Sequence, residues 1–289
     1  MSTYLDEQLW QAICPNTFIF DLEYIGYTTA HSDCYVWEIG VVHWLTGAEL
    51  CVTIDPKIRP LPVPFSADFA QLTEKTLKER NAVDFRTAWH ILTTFIDSLL
   101  IETRNVLLVA HNCFKADKPV LEAATRREGI QLPLNWFFFD SLLFCRSVLP
   151  KQTSYALKDI FESTMQASLQ DAHSALPDAR ALRDILMNIN PYSLSGTICP
   201  AYTTPLQTIK WLGASCENYL FMKNVRSVEQ LISLLINSYA THNLLGSNDT
   251  IHSFVTNYLT LNFDIKDGNA RSIANSIVNK WLPLKNESI

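Results

Sequence analysis

Hydrophobic and polar positions along this chain fall first into strand-like segments, then into alternating helix-like and strand-like ones, and finally into helical spacing alone. Residues 17–22 (TFIFDL) form an apolar, aromatic run suited to a buried strand. Residues 35–44 (YVWEIGVVHW) and 49–54 (ELCVTI) predict two more strands, with Thr46-Gly47 as the hairpin turn between them. Pro56, Pro60, Pro62 and Pro64 then exclude regular structure and predict an extended surface segment. From Asp84 to Leu100 the spacing turns helical, with Phe85, Ala88, Trp89, Leu92, Phe95, Ile96 and Leu99 on one face. Residues 105–110 (NVLLVA) predict another buried strand. A helix then starts near Asp117, tolerates Pro119 in its first turn and ends at a Gly129 cap. A short strand over 136–139 and helices over 154–161 and 174–189 follow. Strands first, then strands alternating with helices, predict an α/β domain built on a mixed sheet.

Residues 191–205 are rich in Pro, Ser, Thr and Gly and carry few charges, which predicts a linker. Residues 206–289 are rich in Leu, Ile and Asn at helical spacing and predict a small α-helical domain. The organisation expected is therefore a domain over 1–190, a linker over 191–205 and a helical domain over 206–289. Charge supports the division. The chain of 289 residues has a net charge of −6; from Ser195 onward seven Lys/Arg face six Asp/Glu, a net +1, so −7 lies in the first part. With 48% hydrophobic and 18% charged residues the composition is globular and not disordered. The acidic balance argues against a protein that coats nucleic acid without sequence preference, unless bound cations invert the local sign. Seven scattered cysteines without a CxxC pair read as reduced thiols, not as a zinc site or disulfide frame. No apolar run reaches membrane-spanning length, and Asp6 and Glu7 near the start argue against a secretory leader. The expectation is an intracellular protein, cytoplasmic or nuclear.

Candidate chemistry comes from three acidic segments. Asp21 and Glu23 end the first strand, and alternation puts them on one face, where two carboxylates suit a hard cation such as Mg²⁺ or Mn²⁺. Such pairs are more often solvated surface, but sites on α/β sheets gather at strand ends. The segment His111-Asn112-Cys113-Phe114-Lys115-Ala116-Asp117 follows the buried strand 105–110. There Asp117 reads either as a ligand or as a plain helix cap, and His111 and Asn112 as turn-stabilising groups. In residues 171–182 (DAHSALPDARAL) Ser174 is a credible N-cap and Asp178 projects from the helix start. His173 lies on the loop before it, where an imidazole suits a general base; capping and surface roles compete evenly.

Taken together, FDLE, then VAHN-x4-D, then AHSALPDARAL resemble the DEDDh class of 3′→5′ exonucleases, which has the RNase H-like fold. The likeness covers residues 17–189. The spacing from His111 to Asp117 and the final H-x4-D are most similar to the three-prime repair exonuclease branch. WEIGVV resembles the second strand of these enzymes, QLTEKTL the segment after the hairpin, and FFFDSLLFCRSVLP and SYALKDIF the elements before the last motif. The resemblance implies an RNase H-like mixed sheet flanked by helices. It also implies two Mg²⁺ or Mn²⁺ ions about 4 Å apart. Asp21 would bridge both, Glu23 and Asp178 would complete the first, and Asp117 would help hold the second. His173 would deprotonate the attacking water. The substrate implied is single-stranded DNA or RNA with a free 3′ end, and the products nucleoside 5′-monophosphates. Tyr24, where these enzymes usually have a small or hydroxyl residue, and Phe114 are candidates to stack the terminal base. His111, Asn112 and Lys115 are further candidate substrate contacts, and Lys118 also flanks Asp117.

Residues 206–220 resemble a helix-hairpin-helix, whose Gly-rich turn offers backbone N–H groups to a DNA phosphate; here Trp211 stands in place of the first glycine. A small helical domain with a Trp-anchored core is the plainer reading. The amphipathic stretch 228–239 predicts a face for the nuclease domain or a protein partner. The alternative to an enzyme is a catalytically silent protein that binds nucleic-acid ends or acts as a scaffold.

Overall fold

The computed structural model describes residues 3–26, 34–59, 61, 72–101, 105–190, 192, 194–204, 206–223, 225, 227–241, 248–263 and 265–281. The chain divides into a larger unit, 4–202, and a smaller one made mainly of 203–289. Strand β1 (Thr3–Leu5) and helix α1 (Glu7–Ile13) come first, α1 capped by Asp6, which accepts the Leu9 N–H at 2.8 Å. Then follow β2 (Thr17–Ile25), β3 (Tyr35–His43) and β4 (Glu49–Thr53). Next are α2 (Glu74–Glu79), α3 (Phe85–Leu99), β5 (Val106–Ala110) and α4 (Asp117–Arg127). The unit closes with β6 (Trp136–Asp140), α5 (Ser141–Val148), α6 (Leu157–Met165), α7 (Ala175–Ile189) and β7 (Gly196–Pro200).

One seven-stranded sheet runs in the order β1-β7-β6-β5-β2-β3-β4. The β2–β3, β3–β4 and β6–β7 pairs are antiparallel, while β2–β5 and β5–β6 are parallel, so the sheet is mixed. Gly47, at φ 68°, turns the β3–β4 hairpin where the sequence placed it. Alternation sends Phe18, Phe20 and Leu22 of β2 into a core with α3 and α4, and Ile19 into a second core with α7. Continuous apolar runs such as 106–110 are buried on both faces, as parallel strands covered by helices require.

The stretch 191–205 is not simply a linker. Its residues Gly196–Pro200 form β7, with Phe138 opposite Cys199 and Phe139 opposite Ile198. Cys199 and Ile198 are buried on opposite faces of the sheet, and that burial outweighs the turn-rich composition around them. Prolines 60, 62 and 64 fall outside the described residues, so the extended segment predicted there is seen only in part.

In the smaller unit a 3-10 turn at Leu206–Thr208 precedes α8 (Ala214–Met222), α9 (Val228–Thr241), α10 (Asn248–Phe263) and α11 (Asp267–Trp281). Leu220, Leu231, Leu235, Val255, Leu259, Ile273 and Ile277 form its core. Trp211 does not anchor this core. The residue is 66% exposed, with backbone φ at 72°. No helix among the described residues is long and apolar enough to cross a membrane.

Candidate active site

β2 carries Asp21 and Glu23 on the face toward α7. Their antiparallel partners on β3 are Gly40 and Glu38, so all four positions share that face. The register shifts between Glu23 and Tyr24, a bulge that ends the regular pairing beside the acids.

α7 lies across β2, β3 and β4. It reaches the sheet closely because Gly40 has no side chain: a Cβ there would sit 2.2 Å from the Ala175 carbonyl carbon and 2.3 Å from the Leu176 nitrogen. One turn into α7, Asp178 meets the β2 pair. Ligand oxygens of Asp21, Glu23 and Asp178 all lie within 4.8 Å of one another. Asp178 Oδ2 accepts the His173 backbone N–H at 3.1 Å, whereas Oδ1 is buried with no hydrogen-bond partner. A buried carboxylate oxygen left over beside two other carboxylates fits a hard divalent cation, the donor type Mg²⁺ and Mn²⁺ take.

The electrostatics agree with that fit. Burial, then the charges of Asp117, Glu23, Asp178 and Glu38, push the Asp21 carboxyl well above the usual carboxylate range. Burial likewise pushes Asp178 up to about 6, against the pull of the His173 N–H. Like charges packed so closely resist joint ionisation until a cation neutralises them.

Asp117 starts α4 and is buried against β2, where its Oδ1 accepts the Leu22 N–H at 3.1 Å, between the two β2 acids. Burial pushes its carboxyl up to about 7, with Asp140 adding to the rise and its backbone bonds opposing it. Asp117 lies outside the three-carboxylate cluster, one of its oxygens being committed to the backbone. His173 is exposed just before α7, with φ at 66°. That left-handed turn lets the chain double back so that its N–H meets Asp178.

The other candidate contacts are placed differently. His111 bonds the Tyr155 carbonyl through Nε2 at 2.8 Å and Ser141 Oγ through Nδ1 at 3.2 Å, and burial lowers its pKa. It ties the end of β5 to the start of α5 and to the segment before α6. Asn112 adopts φ 61°, and its carbonyl accepts the Lys115 and Ala116 N–H groups, closing the turn before α4. The Phe114 ring is only 4% exposed and packs in the α3–α4 core, so a base cannot stack on it; the sequence offered no way to tell core from surface there. Tyr24 packs against the edge of that same core, and burial, with Asp117 next, raises its phenol. Lys115 is exposed, whereas Lys118 is buried with Glu122 at 2.6 Å and cannot reach a phosphate.

Three residues escaped the sequence reading. Glu38 is fully buried on β3, where Oε1 accepts from Arg80 and Oε2 from Ala175 N at 2.9 Å and Ser174 Oγ at 3.2 Å. Asp140, at the end of β6, accepts the Phe114 N–H at 3.1 Å and the Leu142 N–H at 3.0 Å, which pins the turn leading to Asp117. Gly40 is the third. A charged residue in the otherwise apolar run YVWEIGVVH was the available signal for Glu38.

No protein-family model matches the sequence, and no curated protein matches it. Solved structures do. The nuclease domain of 3′hExo, described as a DEDDh family member bound to rAMP, is 11% identical at a TM-score of 0.50, over 62% of this chain and 95% of that one. Cell-death related nuclease 4 (CRN-4) is 14% identical at a TM-score of 0.48, over 60% of this chain and 64% of its own. Exonuclease I is 14% identical at 0.48, over 61% of this chain and 41% of its own. The chain thus spans less than two thirds of the length of two of these three. The larger unit has the RNase H-like fold of the 3′hExo nuclease domain.

Proposed function

We propose that this chain is a metal-dependent nuclease that removes nucleotides from the 3′ end of a polynucleotide as nucleoside 5′-monophosphates. The observation that carries the reading is the convergence of Asp21, Glu23 and Asp178, from a strand end and a helix start far apart in sequence, with a buried oxygen of Asp178 left unsatisfied. Asp21, Glu23 and Asp178 would hold one Mg²⁺ or Mn²⁺, and Asp117, beside Asp21, would help hold a second. Bound there, such ions supply charge neutralisation for phosphodiester hydrolysis, whose barrier falls mainly through positioning and electrostatics. A ring nitrogen of His173, exposed ahead of α7, takes the proton of the attacking water. Asp178 holds the loop that carries it by accepting the backbone N–H of the same residue. That the 3′hExo domain is described as bound to rAMP supports a nucleotide as the group held.

The test is a Mn²⁺ and Mg²⁺ titration with 5′-labelled single-stranded DNA and RNA of one sequence, beside Asp21→Ala and His173→Ala. A ladder shortening stepwise from the 3′ end, lost in both variants and with EDTA, is expected. Intact polymer in the presence of folded wild type that binds Mn²⁺ would overturn the enzyme and favour an end-binding or scaffold protein.

A further inference from the structure

The first turn of α7 lacks a cap of its own. Ser174 occupies the N-cap position with extended backbone, yet its side chain makes no capping bond within the helix. Its hydroxyl and the Ala175 N–H both point at Glu38 Oε2 on the underlying β3 instead, at 3.2 and 2.9 Å. The other oxygen of Glu38 takes the Arg80 guanidinium, just beyond α2, at 2.5 Å. Glu38 is 0% exposed, and a buried carboxylate is kept only where its charge is met by donors. Here the donors are a guanidinium and the positive end of a fifteen-residue helix. Two residues along the same face, Gly40 leaves the space that α7 fills.

We infer that Glu38, held by Arg80, is a positioning residue that seats the start of α7 on β3 and so brings Asp178 and the His173 loop to the β2 carboxylates. The linkage is short. Glu38 grips residues 174 and 175, the Asp178 N–H bonds the Ser174 carbonyl at 3.0 Å, and the Asp178 side chain in turn holds the His173 N–H. Each bond fixes the next within one helical turn. Removing the Glu38 charge frees the serine hydroxyl and weakens the hold on the first turn, while the apolar face of α7 (Ala179, Leu182, Ile185, Leu186) remains packed. The disturbance is therefore local to 173–178 and leaves the fold in place. Groups that orient ligands from behind typically change metal affinity or activity by about 10- to 100-fold when mutated. The consequence for catalysis rests on the nuclease reading; the consequence for geometry and cation binding does not.

The experiment uses the full chain and compares wild type with Glu38→Gln, Arg80→Gln, Ser174→Ala and the control Arg180→Gln. Arg180 also sits on α7 but pairs with Glu49 at the exposed edge of β4. Three quantities are read: amide hydrogen exchange across 171–189, Mn²⁺ affinity by calorimetry, and kcat and KM on a single-stranded oligonucleotide. Glu38→Gln is expected to speed exchange at 173–178 and not at 180–189, to weaken Mn²⁺ about 10- to 100-fold and to lower kcat with little change in KM. Arg80→Gln and Ser174→Ala should show the same pattern more weakly, and the control none of it. If Glu38→Gln does not fold, the two weaker variants decide by the same readouts. Wild-type exchange and wild-type Mn²⁺ affinity in folded variants would overturn the inference. If wild type binds Mn²⁺ yet cuts nothing, the nuclease reading fails, and exchange and affinity still decide the role of Glu38.

Discussion

Gly40→Ala is the smallest perturbation that tests how the site is assembled. The added Cβ would lie 2.2 Å from the Ala175 carbonyl carbon, 2.3 Å from the Leu176 nitrogen and 2.4 Å from the Ala175 oxygen. All three are backbone atoms, so no side chain can swing aside. Reaching ordinary contact at 3.4 Å moves the start of α7 off the sheet by roughly 1.2 Å. Asp178 moves with it, away from Asp21 and Glu23, which stay on β2. Overpacking of this kind costs about 1–3 kcal/mol. In a unit of this size about 2 kcal/mol corresponds to a fall in Tm of roughly 4–8 °C. A misplacement near 1 Å at a reacting centre costs on the order of 10²-fold in rate. The assay pairs thermal unfolding with Mn²⁺-dependent cleavage of a labelled oligonucleotide. Gly40→Ala should melt lower and cut about 10²-fold more slowly. A variant that melts and cuts like wild type would refute the close approach of α7 to β3 as the source of the geometry.

Other consequences follow from the same contacts. Asp117, pushed up to about 7, and Asp178, pushed up to about 6, each from 3.8, bind a proton more tightly folded than unfolded. Without metal the protein should therefore lose stability as pH rises from about 4 to about 7, by on the order of 3 kcal/mol from Asp178, with Asp117 adding in the same direction. Denaturant titrations at pH 5 and pH 8 in EDTA check this, and Mn²⁺ should restore the loss at pH 8. His111→Ala should cost about 1–3 kcal/mol by leaving the Tyr155 carbonyl and Ser141 short of a partner, with KM for an oligonucleotide unchanged; a raised KM at unchanged stability would return His111 to the substrate contacts. Trp211→Gly should stabilise the smaller unit by about 1 kcal/mol, because a bulky side chain gives up its left-handed backbone at φ 72° and little burial is lost; a lower denaturation midpoint would contradict that.

Much of this was legible in the sequence. Strands β2 to β6, the hairpin at Gly47, and α3, α4 and α7 follow from apolar runs, apolar period and capping residues, since the helices bury one continuous face and strands such as β5 are buried on both. For Asp21, Glu23 and Asp178 the local pattern left surface and capping roles open, and the ordered set of motifs singled them out; the structure brings their ligand oxygens within 4.8 Å of one another. What pattern could not supply was contact across the sheet. Phe114 and Lys118 look alike as near neighbours of Asp117 in sequence, yet one is core and the other a buried ion pair. Glu38 reads as one polar residue in a strand until α7 is laid over it. β7 hides among turn-forming residues because its burial comes from the pairing with β6, not from its own composition.

In the proposed function the carboxylates gathered around Asp21 serve hydrolysis at a free 3′ end. The most direct measurement incubates wild type and Asp21→Ala with linear and closed-circular single-stranded DNA of one sequence, with Mn²⁺ or EDTA. Wild type is expected to convert the linear strand to nucleoside 5′-monophosphates in Mn²⁺ alone and to leave the circle intact, while Asp21→Ala cuts neither substrate. Cutting of the circle, or cleavage that survives EDTA or Asp21→Ala, would contradict it.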